Sequence, residues 1–307
     1  MDGMSIQPTK NLKLLFVLII FLLLITACSG KMTSVAEEDS TKEAIPSTLT
    51  PTRFITSTPT QEPAAAVVNG EVIAKAWFES EFARYLLAQE AAETPVKDEA
   101  AAREIVLEDL IDQVLLAQGA RDDGFTVTDE KVQERIDDLS EDVDLPAWMA
   151  KWGYTETDLF HSLKLQMQAV DQRDRILNTI PEIVEQVELR QVFAYTEDGA
   201  DRALVSLNSG TPFEDVAFLY DPTTGGYLGW VPRGYLLNLK IEEAAFSLPV
   251  GTYSEIIESD IGYHIVLVID REERPLTNDA KLTLQRKALQ EWIVNQREIS
   301  TIEKLID

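Results

Sequence analysis

Around an Asn-Gly pair the chain alternates apolar and polar positions in "VVNGEVI", Val67 to Ile73, which predicts two short strands joined by a tight hairpin. The apolar period then lengthens to that of helices. Phe78, Phe82, Tyr85 and Leu86 fall on one face, and Ile105, Val106, Leu110, Ile111, Val114 and Leu115 form a broad stripe that stops at Gly124. Val132, Ile136 and Leu139 follow a capping-type Thr128. A short helix is predicted from near Pro146 to a break at Gly153, and a long one opens with the capping pattern Thr155 to Asp158. The result is a helical module rich in Trp77, Phe78, Trp148, Met149, Trp152, Phe160 and Met167, more than one helical layer covers. Either a groove for apolar segments or a partner helix elsewhere in the chain is implied. Asp279 to Ile306 supplies a candidate, with Leu282, Leu289, Trp292, Ile293, Ile299, Ile302 and Leu305 at helical spacing, so this last helix is expected to return and complete the first module.

Between the helical blocks lies "DPTTGGYLGWVPRG", Asp221 to Gly234, whose glycine density fits backbone at positive φ or in close approach to another group. A phosphate loop is excluded by context. Such a loop follows a buried strand and opens a helix, whereas Phe213, Val216, Ala217 and Tyr220 upstream are at helical spacing and Pro232 follows. With 27 basic and 53 acidic residues the chain carries a net charge of −26, which is a poor field for gathering nucleotides or nucleic acid. His161 and His264 are far apart and Cys28 is the lone cysteine, so no metal-ligand spacing exists, and no cofactor is expected. His161, between Phe160 and Ser162 on a helix, reads as a surface residue.

The amino-terminal region reads as targeting and tethering. Leu14 to Ile25 is an unbroken apolar run of 12 residues behind Lys10 and Lys13, too short for a span of about 20 and within the ~7–15 of a signal-peptide core. "ITAC" then resembles the lipobox of bacterial lipoproteins, with Ala27 before the cleavage site, so residues 1–27 are expected to be a signal peptide and Cys28 the lipidated first residue of the mature chain. Residues 28–63, including "STLTPTRFITSTPTQEP", are Ser/Thr/Pro-rich and bury too little to offset ordering entropy, which predicts a solvated tether. The chain's negative charge leaves acyl chains, not a polybasic patch, to anchor it.

From Val67 to Ile306 the chain resembles the extracytoplasmic foldases of the PrsA and SurA type. "VELRQVFAYT", "LNSGTPFEDVAFLY", "GGYLGW", "IEEAAFSLPVGTYSEII" and "GYHIVLVIDREE" occur in the order seen in parvulin-type peptidyl-prolyl isomerases. The resemblance implies an α+β protein. Its parts would be a helical chaperone domain over 64–182, an inserted parvulin-type domain of antiparallel sheet and surrounding helices over 183–276, and a carboxy-terminal helix over 277–307 packing on the chaperone domain. It implies isomerisation of X-Pro bonds in unfolded exported polypeptides at the outer face of the bacterial cell membrane.

By the same resemblance, His264 in "GYHIV" matches the second of a pair of floor histidines, and the proline pocket falls on Leu228, on Leu236 or Leu237, on Ile241 and on Phe246. Three departures stand out. Gln191 occupies the first histidine's place, the loop bearing the family's Cys or Asp is shortened to leave Asp221, and the usually aromatic wall is Ile241. Asp221 before Pro222 is also ordinary turn chemistry, and an inward histidine in an alternating strand is also an ordinary core residue. Two function classes therefore follow: an isomerase and foldase, or a catalytically weak holdase whose parvulin domain only binds.

Overall fold

The computed structural model describes residues 63–306; the apolar leader, Cys28 and the Ser/Thr/Pro-rich stretch lie outside the described residues. The chain divides into two compact units. Among the described residues, one comprises those up to Val170 together with the segment from Ser300 onward, and the other Asp171–Ile299.

In the first unit, strands β1 (Ala64–Val68) and β2 (Glu71–Ala74) form the expected hairpin. Asn69 (φ 51°) and Gly70 (φ 86°) make its turn with the two positive φ angles that a type I′ hairpin demands. Helices α1 (Lys75–Ala91), α2 (Glu99–Asp122), α3 (Asp129–Asp142), α4 (Leu145–Trp152) and α5 (Glu156–Leu177) follow, the last crossing the division between the units. Their ends are where the capping chemistry puts them. The Asp98 and Thr128 side chains accept from the first turns of α2 and α3, α4 stops at Gly153 in the left-handed region, and the Thr155 hydroxyl accepts from Asp158 N at 3.0 Å. Leu107, Ile111, Val114 and Leu115 of α2 bury completely with Val68, Ile73 and Phe78, whereas Ile105, expected on the same stripe, is exposed. A second cluster joins Val132, Leu145, Leu159 and Leu163 and takes up Trp148, Met149, Phe160 and Met167.

The closing segment differs from the sequence reading. Its helix ends at Ile299, and Ile302–Lys304 forms a strand, β7, antiparallel to β1 in a three-stranded sheet of order β2-β1-β7. The last apolar residues keep their role in another conformation. Ile302 and Ile306 pack on the first unit's core, while Asn69 exchanges hydrogen bonds with Thr301 through its backbone N–H (2.8 Å) and side-chain oxygen (2.9 Å). The β-branched Ile299, Thr301 and Ile302 favour extended backbone at this point. The element that returns to the first unit is thus a strand, and the 22-residue helix before it groups with the second.

The second unit runs β3 (Ile183–Ala194), α6 (Glu197–Asn208), α7 (Phe213–Tyr220), β4 (Tyr227–Pro232), α8 (Leu239–Ser247), β5 (Ile257–Ser259), β6 (Gly262–Pro275) and α9 (Asn278–Ile299). Its four strands are antiparallel in the order β4-β3-β6-β5. β3 and β6 alternate between two covered faces. On one, Val192 and Ile265 meet Ala203 and Leu207 of α6 and Phe213, Val216 and Ala217 of α7; on the other, Val187, Leu189, Val231 and Val268 meet Ala245 and Phe246 of α8. The guanidinium of Arg271 donates to the carbonyls of Phe246 (3.1 Å) and Leu248 (2.9 Å) and so holds the end of α8.

Candidate isomerase site

Strand register aligns the candidate floor. Leu189 pairs with Val268, Gln191 with Val266 and Phe193 with His264, so Leu189, Gln191, Phe193 and His264 lie on the sheet face that carries α8. His264, 4% exposed, sits opposite Phe193 with ring centroids 4.9 Å apart. Its Nδ1 lies 3.1 Å from Gln191 Oε1 and its Nε2 2.8 Å from Ser259 Oγ. Both ring nitrogens thus have a polar partner, and the Ser259 hydroxyl is also 3.0 Å from Gly262 O. Burial holds the imidazole below its ordinary pKa of about 6.5, so it is neutral at neutral pH. Ser259 escaped the sequence reading; it lies in the three-residue β5 of the hairpin that leads to His264.

The glycine-rich loop approaches Gln191. Gln191 N donates to Gly226 O at 2.8 Å, and a Cβ on Gly226 (φ 69°) would stand 1.9 Å from Gln191 O. Only a residue without a side chain fits this contact. Asp221 serves the loop itself. Its carboxylate accepts from Thr223 N (3.0 Å), Thr224 N (3.2 Å), the Thr224 hydroxyl and Gly226 N (3.4 Å), and these bonds, led by the Thr224 hydroxyl, hold its pKa below the usual carboxylate range. Its hydrogen bonds are all within the turn, and it reaches the floor only by way of Gly226.

The remaining candidates divide by exposure. At Leu228 the β3–β4 register shifts, since Leu189 pairs with Gly229 and Arg190 with Tyr227; Leu228 is the extra residue of a bulge, beside Gly229 at φ 77°. It is 37% exposed, and Leu237 is fully exposed. Ile241 and Phe246 are buried, and Leu236 packs against the α8 core. The structure thus joins His264 and Gln191 directly and buries Ile241 and Phe246 on one helix, with Leu228 and Leu237 presenting apolar surface. Arg233, unnoticed in the sequence, lies over the Phe246 ring at 4.2 Å. His161 is exposed, edge-on to Trp77 at 4.5 Å, and it borders a separate cleft of about 720 Å³ in the first unit with Ile136, Leu145, Met149 and Phe160. Among the described residues no cluster of His, Cys, Asp or Glu has the arrangement of a metal site, and no helix is long and apolar enough to cross a membrane.

A family model described as the SurA-like N-terminal domain matches residues 9–167, just over half of the chain. The chain belongs to that family. A PPIC-type PPIASE domain model matches residues 176–270, the stretch that builds the sheet and α8, so the second unit carries a peptidyl-prolyl isomerase domain. Foldase protein PrsA of Geobacillus sp. (strain WCH70) is 27% identical over 215 residues, 66% of this chain and 75% of that protein. Foldase protein PrsA of Caldanaerobacter subterraneus subsp. tengcongensis is 29% identical over 222 residues, 66% of this chain and 71% of that protein. Chaperone SurA of Nitrosospira multiformis is 27% identical over 166 residues, 47% of this chain and 36% of that protein. The solved structure of peptidylprolyl isomerase PrsA from Bacillus cereus is similar at 21% identity and a TM-score of 0.43, covering 77% of this chain and 87% of that one.

Proposed function

We propose that this foldase isomerises X-Pro bonds of unfolded exported chains on the α8 face of its sheet, with His264, Gln191 and Ser259 as the floor and Leu228, Leu237, Ile241 and Phe246 as the proline pocket. The observation that carries the reading is the His264 network: a neutral imidazole, bonded at both nitrogens, on the same sheet face as an apolar wall.

The barrier in an X-Pro bond is amide resonance, about 18–20 kcal/mol, and uncatalysed exchange takes tens to hundreds of seconds. No covalent step is needed. Resonance places negative charge on the carbonyl oxygen and positive charge on nitrogen, so water and charged groups favour the planar amide, and an apolar neutral setting favours the twisted one. Phe246 and Ile241 behind the ring, with Leu228 and Leu237 at its edges, would hold the proline while its carbonyl turns over the floor. A neutral His264 fits that task better than an imidazolium. Gln191 keeps the floor hydrogen-bonded where the family has a second histidine, and it does so without adding a titrating group.

The test is exchange spectroscopy on X-Pro peptides with the full chain and with Leu228→Asp. The variant should lose both peptide binding and rate acceleration because it sets a charge against the apolar pocket; retained acceleration would remove Leu228 from the pocket.

The finer localisation belongs to the same proposal: attachment to the outer face of the cell membrane through acyl chains on Cys28. Its support is the apolar run, the "ITAC" sequence and the Ser/Thr/Pro-rich stretch that follows. Cys28→Ala should move the protein from the detergent phase to the aqueous phase on phase partitioning. Equal partitioning of the two forms would refute the anchor.

A further inference from the structure

Beyond His264, on the side of the floor away from Phe246, the same sheet face ends in a second apolar surface. Tyr195, the next residue after β3, is 84% exposed yet meets the Phe193 ring edge-on at 4.8 Å, and Phe193 in turn lies against His264. Ile261, at the tip of the β5–β6 hairpin, is 71% exposed, and its N–H donates to Ser259 Oγ at 3.3 Å. The hairpin is pressed onto the same ring, because a Cβ on Gly262 would stand 2.8 Å from Phe193 Cε2 and 2.6 Å from Ala194 O. Tyr195 thus borders Phe193 directly, and Ile261 stands next to Gly262, which presses on the same ring. Single exposed apolar residues need no explanation, but these two are contiguous with the residues that flank the catalytic imidazole.

We propose that Tyr195 and Ile261 form a specificity subsite that takes a large apolar or aromatic side chain of the client a few residues from the proline. The inference rests on the isomerase reading of this face. Two residues of extended strand advance about 6.6 Å, so the chain from Leu189, which packs with Phe246, to Tyr195 spans roughly 20 Å, the reach of about six extended client residues. A client held at the Phe246 end can therefore set a side chain up to about six residues away on Tyr195. Glu197, Glu258 and Asp260 stand beside these residues in sequence, so an acidic side chain is disfavoured at this subsite.

The experiment uses the full chain and a set of Ala-rich peptides with one central proline and a single Phe, Leu, Arg or Glu at each of six positions on either side. Both binding and isomerisation are read. At one position Phe and Leu should raise affinity or kcat/KM several-fold over Ala, with Glu below Ala, and Tyr195→Ala and Ile261→Ala should each erase that gain while handling the all-Ala peptide as the wild type does. No position with an apolar gain, a gain that survives both variants, or a preference for Arg alone would overturn the subsite. Selective binding of the Phe peptide without isomerisation would support the subsite and refute catalysis; neither binding nor isomerisation of any peptide would overturn both.

Discussion

His264 has a depressed pKa because burial penalises its charged form, and this sets a direction for pH dependence. A group with a lower pKa folded than unfolded gives stability that is fully present above the unfolded value, about 6.5, and is lost as pH falls through the folded one. Activity and the stability of the second unit should hold from pH 8 to about 6.5 and then decline together on acidification, while His264→Ala flattens this part of both profiles. A stability profile unchanged by that variant would show that another group titrates. Gly226 offers a test without charge. Gly226→Ala meets both a positive φ and the Gln191 carbonyl, so it should cost at least ~1–3 kcal/mol in urea unfolding and weaken activity with it; a neutral substitution would mean the loop yields freely. Of these residues, the histidine and the glycines were legible from "GYHIV" and "GGYLG". Ser259 was not, because a hydroxyl in a three-residue strand has no periodic signal, and its partner is defined only once β5 pairs with β6. Asp221 was legible as a residue but not as a role, since one carboxylate serves a turn or a site depending on which N–H groups the fold brings to it.

Helices and hairpins declared themselves wherever caps and period agreed: Asn69-Gly70, Thr128, Gly153 and the Thr155–Asp158 pair all stand where the pattern put them. The closing element did not, because Ile299, Ile302 and Leu305 satisfy a helical period while the backbone between them is free to extend, and pairing with β1 decides the outcome. Three residues of β7, the Leu305 N bond to Ala65 O at 2.8 Å and the Asn69–Thr301 pair then tie the two ends of the described chain together. Deleting residues 300–307 should therefore lower the melting temperature of the first unit, by the few degrees per kcal/mol usual for a domain of this size. Peptide isomerisation by the second unit should remain. An unchanged helical transition would show that β7 contributes nothing to that unit's stability.

As a whole molecule, the chain combines a helical unit of the SurA-like family with an isomerase unit in which His264 meets Gln191 across the sheet. The order of sequence blocks made the architecture readable, whereas the working geometry came from strand register, which places Leu228 on a bulge and lines up Leu189, Gln191 and Phe193 beside His264. The central claim is the proposal that the face holding His264 and Gln191 isomerises proline. Its most direct test is the rate of cis–trans exchange in one X-Pro peptide, measured near pH 7.5 with wild type and His264→Ala at equal concentration. Acceleration by the wild type that falls roughly tenfold or more in the variant, a loss of about 1.4 kcal/mol of transition-state stabilisation, is the predicted result. No acceleration by the wild type, or equal acceleration by both, would contradict it.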